Sequence, residues 1–123
     1  MRIRRIAKVL AAAGLFGSAA MAAPAPLVQK EVTALLDFVA ASGCEFQRNG
    51  SWHSSQGAKE HLQDKFDYLA ARDAIHSAEE FIDKAASQSS LSGRAYKVRC
   101  NSAPLITSQK WLHDELLRLR KTP

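Results

Sequence analysis

The sequence predicts an α+β fold in which about four helices pack on a small antiparallel sheet, made of a hairpin plus one strand. Three observations support this fold class. Apolar residues recur at helical spacing in four segments, an alternating segment reverses at Asn49-Gly50, and a second alternating segment ends at Cys100. Because Cys44 begins the first alternating segment, a disulfide between Cys44 and Cys100 would join the hairpin to the later strand.

The first residues of the chain have the composition of a secretory signal peptide. Four cations within residues 1–8 precede an apolar run, and Ala20-Met21-Ala22 supplies the small residues that signal peptidase requires. The apolar run is too short to cross a bilayer, which takes about 20 strongly apolar residues. We therefore predict a signal peptide at residues 1–22, cleavage near Ala22, and one domain at residues 23–123 that resides in the periplasm or is secreted.

The positive charge of the whole chain comes mostly from the predicted signal peptide. Four of the 17 Lys and Arg residues lie within it, and all 12 Asp and Glu residues lie outside it. The cations of the mature chain are interleaved with carboxylates and form no basic stripe of the kind that binds nucleic acid. We expect no nucleic-acid partner and no membrane span in the mature form.

The two cysteines of the mature chain allow a single intramolecular pairing. An oxidising compartment favours a Cys44–Cys100 disulfide. Closing a loop of about 56 residues would cost the unfolded chain roughly 4 kcal/mol of conformational free energy. The alternative, a catalytic thiol, would require its partner to stay out of a disulfide.

The first helix and the hairpin are predicted from apolar spacing and turn residues. A helix is expected over residues 27–41, and Gly43 can adopt the left-handed conformation that ends helices. Residues 44–53 then alternate and reverse at Asn49-Gly50, a pair that suits a two-residue turn with positive φ. The chain is therefore expected to enter the sheet directly after its first helix.

Two more helices are expected after the hairpin. Ser54 or Ser55 can cap the second, whose pattern falters around residues 72–75. Ser77 and Glu80 form a capping box for the third, in which each side chain can accept from the other's backbone amide. The inward residues of these helices are Ala58, Leu62, Phe66 and Leu69, followed by Ala78, Phe81, Ile82, Ala85 and Ala86.

A strand and a last helix complete the predicted fold. Residues 89–93 end the third helix, and residues 95–100 are predicted as a strand with Tyr96 and Val98 on one face. Thr107 or Ser108 can cap the final helix. Basic residues lie near its C-terminus, where they complement the negative end of the helix dipole. Its inward residues are Trp111, Leu112, Leu116 and Leu119.

The chain contains five short blocks with fixed internal spacing: Cys44, Phe46, Arg48, Asn49 and Gly50; Ala58, His61, Leu62 and Lys65; Ala78, Glu79, Phe81 and Ile82; Ser89, Ser90, Ser92, Gly93, Tyr96, Val98 and Cys100; Trp111 and Leu112. Together they resemble a family of small exported bacterial proteins known only as a domain of unknown function. The resemblance covers nearly all of the mature chain. It implies export and one shared fold, and it carries no activity.

The sequence shows no arrangement of residues that identifies catalysis or metal binding. Glu79 and Glu80 point about 100° apart on a helix, and the G-x-S-x-G and S-x-x-K motifs are absent. Two imidazoles on one helix face need a spacing of three or four residues, which is not found among His53, His61, His76 and His113. We name no catalytic residue, metal or cofactor and lean towards a protein that is not an enzyme.

The candidate binding residues fall mainly in the hairpin and in the serine run at residues 89–93. The hydroxyls and amides of this run could bind an anion or a peptide beside Arg94, or they could bond their own backbone in a simple turn. His61 could form a polar ridge with Asp64 and Lys65. The candidates are Arg48, Asn49, Trp52, His61, Ser90, Ser92, Arg94 and Tyr96.

Three functions are compatible with these residues. The first, which we favour, is a non-enzymatic module that binds an envelope protein or a cell-wall component through the hairpin tip and the serine run, brought together by the disulfide. The second is inhibition of a lysozyme-like cell-wall hydrolase, because residues 92–96 resemble the S-G-x-x-Y loop of periplasmic inhibitors of c-type lysozymes. Those inhibitors are β-barrels, unlike the helical pattern here. The third is a cell-envelope hydrolase with His61 and carboxylates such as Glu79 in a cleft.

Overall fold

The computed structural model describes residues 23–122, which form four helices and a four-stranded antiparallel sheet. The α+β prediction is confirmed, and the predicted signal peptide lies outside the described residues. The helices are α1 (Pro26–Ala41), α2 (Ser55–Ala70), α3 (Ala78–Ala85) and α4 (Ser108–Lys121). The strands are β1 (Glu45–Arg48), β2 (Ser51–His53), β3 (Lys97–Arg99) and β4 (Ile106–Thr107).

The sheet has the strand order β2-β1-β3-β4. Phe46 of β1 pairs with His53 of β2 and with Val98 of β3. Side chains paired in this way lie on the same face of a sheet, and because Phe46 and Val98 are buried, this face packs against the helices. Trp52 and Arg99 lie on the other face.

Strand β4 is the element that the sequence analysis missed. It contains two residues, which pair with Val98 and Lys97 of β3. A two-residue strand carries no alternating pattern that could reveal it. Its pairing brings the start of α4 against the sheet, where the Ser108 amide donates to the Tyr96 carbonyl oxygen at 2.9 Å.

Turns and caps lie where the sequence placed them. Gly43, directly after the last turn of α1, has φ +68°, and Asn49 and Gly50 have φ of 51° and 83°, as a two-residue hairpin turn requires. Ser54 caps α2 and Thr107 caps α4, each accepting a backbone amide of the first turn. The end of α1 and the position of the hairpin turn are therefore set by residues that adopt positive φ.

The capping box of α3 differs from the prediction in one bond. The Ser77 hydroxyl accepts the Glu80 amide at 3.0 Å, as expected. The Glu80 carboxylate accepts the amide of His76, one residue before the cap, at 2.7 Å. It also pairs with Lys84 at 3.1 Å. The Ser77 amide, which a standard capping box would use, is not among the partners of this carboxylate within residues 23–122.

The core is built around aromatic side chains from several elements. Phe81 of α3 is fully buried and meets Phe66 of α2 edge to face, with ring centres 5.7 Å apart. Trp111 of α4 contacts Phe38 at 4.6 Å and Phe46 at 5.4 Å between ring centres. Trp111 therefore completes the core, as the sequence predicts, and ties α1 and α4 to the sheet.

Cys44 and Cys100 form the predicted disulfide, with Cα atoms 4.4 Å apart. They flank the Glu45–Arg99 pair at one end of β1 and β3, whereas the hairpin turn follows the other end of β1. Contrary to expectation, the disulfide therefore does not hold the hairpin tip against the serine run. The antiparallel register places the two cysteines and the turn at opposite ends of the same strand.

Candidate functional site

The hairpin turn and the serine loop, which we define as residues 89–93, are joined by the side chain of Asn49. Its amide nitrogen donates to Ser89 Oγ at 3.2 Å, and its amide oxygen accepts from Ser92 Oγ at 2.6 Å. Ser89 is buried and Ser92 is exposed. One side chain thus ties the β1–β2 turn to two points of the loop.

The serine loop also bonds within itself. Ser89 Oγ accepts the amides of Leu91 and Ser92, and the Ser89 carbonyl oxygen accepts the Gly93 amide at 2.9 Å. Ser92 Oγ accepts the Arg94 amide at 3.2 Å. The amides of residues 91–94 are therefore bonded to oxygens of the loop itself, and the loop is held from within.

The fixed loop presents an apolar side chain and a cation. Leu91 is 97% exposed, and Ser90 and Arg94 are exposed as well. The Arg94 guanidinium lies beside the hairpin turn, where a Cβ added to Gly50 would be 3.8 Å from Nη1. The structure thus brings together the predicted candidates Asn49, Ser90, Ser92 and Arg94 on one surface, with Leu91 among them.

The two other hairpin candidates lie elsewhere, because side chains of a strand alternate between faces. Arg48 shares the inner face of β1 with Phe46 and lines a cavity beside α2. Trp52 lies on the outer face of the sheet, where the Arg99 guanidinium stacks 3.9 Å from the ring centre. Neither residue belongs to the surface around Asn49 and Leu91.

His61 and Tyr96 form a second cluster, between the sheet and α2. Tyr96 is buried, and its hydroxyl lies 3.1 Å from His61 Nε2 and 3.0 Å from Lys65 Nζ. An ammonium can only donate, so the phenol oxygen accepts from Lys65. The direction of the bond between the phenol and His61 Nε2 depends on the tautomer of the imidazole. The predicted ridge of His61 and Lys65 is joined through Tyr96 rather than through Asp64.

Burial changes the pKa of each member of this cluster. It lowers the pKa of His61 to about 4, an effect strengthened by nearby cations and opposed by Asp64. Burial and the charge of Arg48 lower the pKa of Lys65, and burial raises the pKa of Tyr96. Near neutral pH the imidazole is thus a weak base and the phenol keeps its proton. The cluster is therefore suited to hydrogen bonding near neutral pH.

Glu79, the carboxylate that a hydrolase would require near His61, belongs to a different cluster. Arg120 donates to Glu79 at 2.6 Å and to Glu31 at 2.9 Å, linking α4 to α3 and α1. These hydrogen bonds lower the pKa of both carboxyl groups. Glu79 is thereby engaged in an ion pair, and His61 has Tyr96 as its partner.

The segment that resembles a lysozyme-inhibitor loop is not presented to solvent as such a loop would be. Tyr96 is only 6% exposed, and its hydroxyl is bonded to His61 and Lys65. The Ser92 hydroxyl is bonded to Asn49. Entry of Tyr96 into an enzyme's cleft would require these contacts to break, so the geometry does not favour the inhibitor function.

Three residues of the two clusters, Lys65, Leu91 and Ser108, were not among the sequence candidates. Leu91 gave a usable signal, since it is a single large apolar residue surrounded by serines. The sequence placed Lys65 on a ridge with His61 but gave no signal for its bond to Tyr96, and Ser108 gave no signal as a site residue. Both residues meet Tyr96 only through the packing of α2 and α4 on the sheet.

Two features are absent from residues 23–122. No helix there combines the length and the apolar composition that a bilayer crossing needs. No group of three His, Cys, Asp or Glu side chains there is arranged to hold a metal ion.

Comparison with known proteins agrees with the resemblance seen in the sequence. Residues 26–120 match a family of unknown function, DUF5329. An uncharacterized protein of Salmonella typhimurium, YfeK, is 45% identical over 51 residues, a segment that covers 42% of this chain and 41% of that protein. This match therefore spans less than half the length of the curated relative, and no solved structure matches the chain. The chain belongs to the DUF5329 family of unknown function.

Proposed function

We propose that this protein is a non-enzymatic interaction module of the periplasm, which binds an envelope protein through the surface formed by the Asn49-Gly50 turn and the serine loop. The observation that carries the proposal is that Leu91 is 97% exposed on a loop fixed by hydrogen bonds. We name this surface, made of Asn49, Ser90, Leu91, Ser92 and Arg94, the loop surface.

An exposed leucine alone is common on protein surfaces. Leu91 differs from such residues in its setting, since Asn49 and Ser89 hold the backbone on both sides of Leu91 in one conformation. A loop that is already ordered loses little conformational entropy on binding, which favours affinity. The neighbouring Arg94 adds a side chain type that is enriched among the residues that dominate binding energy.

The proposed location is supported by the disulfide and by the first residues of the chain. A disulfide persists in oxidising compartments such as the bacterial periplasm, so the Cys44–Cys100 pair is compatible with an exported protein. Residues 1–22 have the charged start, apolar run and small residues of a signal peptide. Together they favour export of the domain at residues 23–123.

Photo-crosslinking in the living cell tests the proposed function. A photoreactive amino acid that replaces Leu91 is expected to give one discrete protein adduct, identified by mass spectrometry, and the additional change Arg94→Gln should reduce its yield. Leu117 is a matched control, because it is a leucine that is 58% exposed on α4.

The control position separates a specific contact from random capture. An adduct from position 91 that is absent from position 117 would support the loop surface. If position 91 gives no adduct, or if both positions capture the same set of abundant proteins, the proposal is wrong.

A further inference from the structure

A small cavity lies between the inner face of the sheet and α2. Polar side chains from four parts of the chain line it, together with Phe46, Ala58 and Leu62. Its volume is about 20 Å³, which is room for roughly one water-sized group. Its polar lining residues include Arg48, His53, His61, Tyr96 and Ser108.

Two of the lining side chains have hydrogen-bonding capacity that no group within residues 23–122 uses. Ser108 is only 2% exposed, and its hydroxyl makes no hydrogen bond to any group within residues 23–122. The guanidinium of Arg48, which is half-buried, has neither a hydrogen bond nor a carboxylate partner in the same part of the chain. Buried polar groups are nearly always hydrogen-bonded, so an orphaned one indicates a ligand or a water molecule.

Two cations without a carboxylate partner among residues 23–122 lie at the cavity or next to it: Arg48 lines it, and Lys65 bonds the lining residue Tyr96. Lys65 bonds the Tyr96 hydroxyl and the Gln88 carbonyl oxygen rather than a carboxylate. Besides burial, the positive charge of Arg48 lowers the pKa of both Lys65 and His61. The carboxylate of Asp64 opposes this effect at His61, because its negative charge raises the pKa of the imidazole. Five cations elsewhere within residues 23–122 form ion pairs with carboxylates, whereas others there, such as Arg94 and Lys97, do not. Arg48 differs from these unpaired cations in that it lines a cavity beside a buried hydroxyl.

We propose that this cavity binds the oxyanion group of a small ligand, a carboxylate or a phosphate, with Arg48 and Ser108 donating hydrogen bonds to its oxygens. The guanidinium is a planar set of donors that matches both kinds of oxyanion. The volume admits one oxygen of such a group. This site is separate from the loop surface, and neither proposal depends on the other.

Titration of the purified, disulfide-bonded protein with inorganic phosphate and, separately, with acetate tests the site. Chloride keeps the ionic strength constant, and amide signals are followed by NMR. Saturable shifts of Tyr96 and Ser108 are expected, and Arg48→Gln should weaken binding about tenfold, as for the loss of a charged hydrogen bond. The anion that binds more tightly shows whether the ligand group is a phosphate or a carboxylate.

Lys97→Gln is the matched control, because Lys97 carries the same charge on β3 but lies on the outer face of the sheet. It should leave the affinity unchanged within about twofold. Ser108→Ala removes a hydroxyl that has no hydrogen-bond partner in the described part of the chain. It should therefore keep the fold and weaken anion binding even if Arg48→Gln unfolds the domain. The proposal would be overturned by amide shifts that never saturate. It would also be overturned if Lys97→Gln weakened anion binding as much as Arg48→Gln does.

Discussion

Replacing both Cys44 and Cys100 with alanine is expected to lower the free energy of unfolding by about 4 kcal/mol. The disulfide links positions 56 residues apart, so its loss restores a large amount of conformational freedom to the unfolded chain. A small domain has a total stability of about 5–15 kcal/mol. The disulfide therefore supplies a large share of it, and the loss is measured as a lower urea midpoint in equilibrium unfolding.

The wild-type protein provides the control for this prediction. Reduction of the disulfide should produce nearly the same loss of stability as the double substitution, because both remove the same covalent link. The double alanine variant also avoids free thiols that could form new disulfides. A loss below about 1 kcal/mol would contradict the expected role of the bond in restricting the unfolded chain.

Phe81→Ala is expected to lower the free energy of unfolding by about 4 kcal/mol, within the range for phenylalanine removed from a core. Phe81 is fully buried, and its ring meets Phe66 edge to face. The substitution removes apolar contacts between α3 and α2 and leaves a cavity between these helices. Thermal and urea unfolding of the variant measure the effect.

Leu91→Ala is the control for the core substitution. Leu91 is 97% exposed, so its truncation should change the free energy of unfolding by less than about 0.5 kcal/mol. A large loss from Leu91→Ala would show that this side chain stabilises the fold, and it would weaken the argument that Leu91 is available for recognition. A loss below about 1 kcal/mol from Phe81→Ala would contradict the described core.

The helices and the hairpin could be predicted because each has a local signal in the sequence. Apolar spacing identified the buried face of α1, and the Asn49-Gly50 pair identified the turn. Strand β4 could not be predicted, since two residues are too few for a period and its pairing depends on β3. The disulfide followed from the count of cysteines and the predicted compartment.

The candidate sites were only partly predictable. The alternation of β1 places the side chain of Arg48 on the same face as Phe46. The sequence therefore contained the information that this side chain points away from the surface formed by Asn49 and the serine loop. The contact of Tyr96 with His61 and Lys65 spans 35 and 31 positions of the chain. No sequence pattern links residues so far apart, because the contact arises only when α2 packs on the sheet.

The same hairpin contributes to both proposed sites. Its turn holds the serine loop through Asn49, whereas the inner face of β1 supplies Arg48 to the cavity. The anion proposal can therefore be tested in variants of Arg48 and Ser108 that leave the hydrogen bonds of the loop surface in place. Failure of one proposal would leave the other open to its own test.

The claim on which the proposed function depends is that Asn49 holds the serine loop in one conformation. Amide hydrogen exchange of Leu91, Ser92 and Gly93 tests it most directly in the wild type and in Asn49→Gly, which tolerates the φ of 51° but lacks the side chain. The account predicts that these amides are protected in the wild type and exchange at least about tenfold faster in the variant, while buried amides of α1 are unchanged. Equal exchange in the two proteins, or no protection in the wild type, would contradict it.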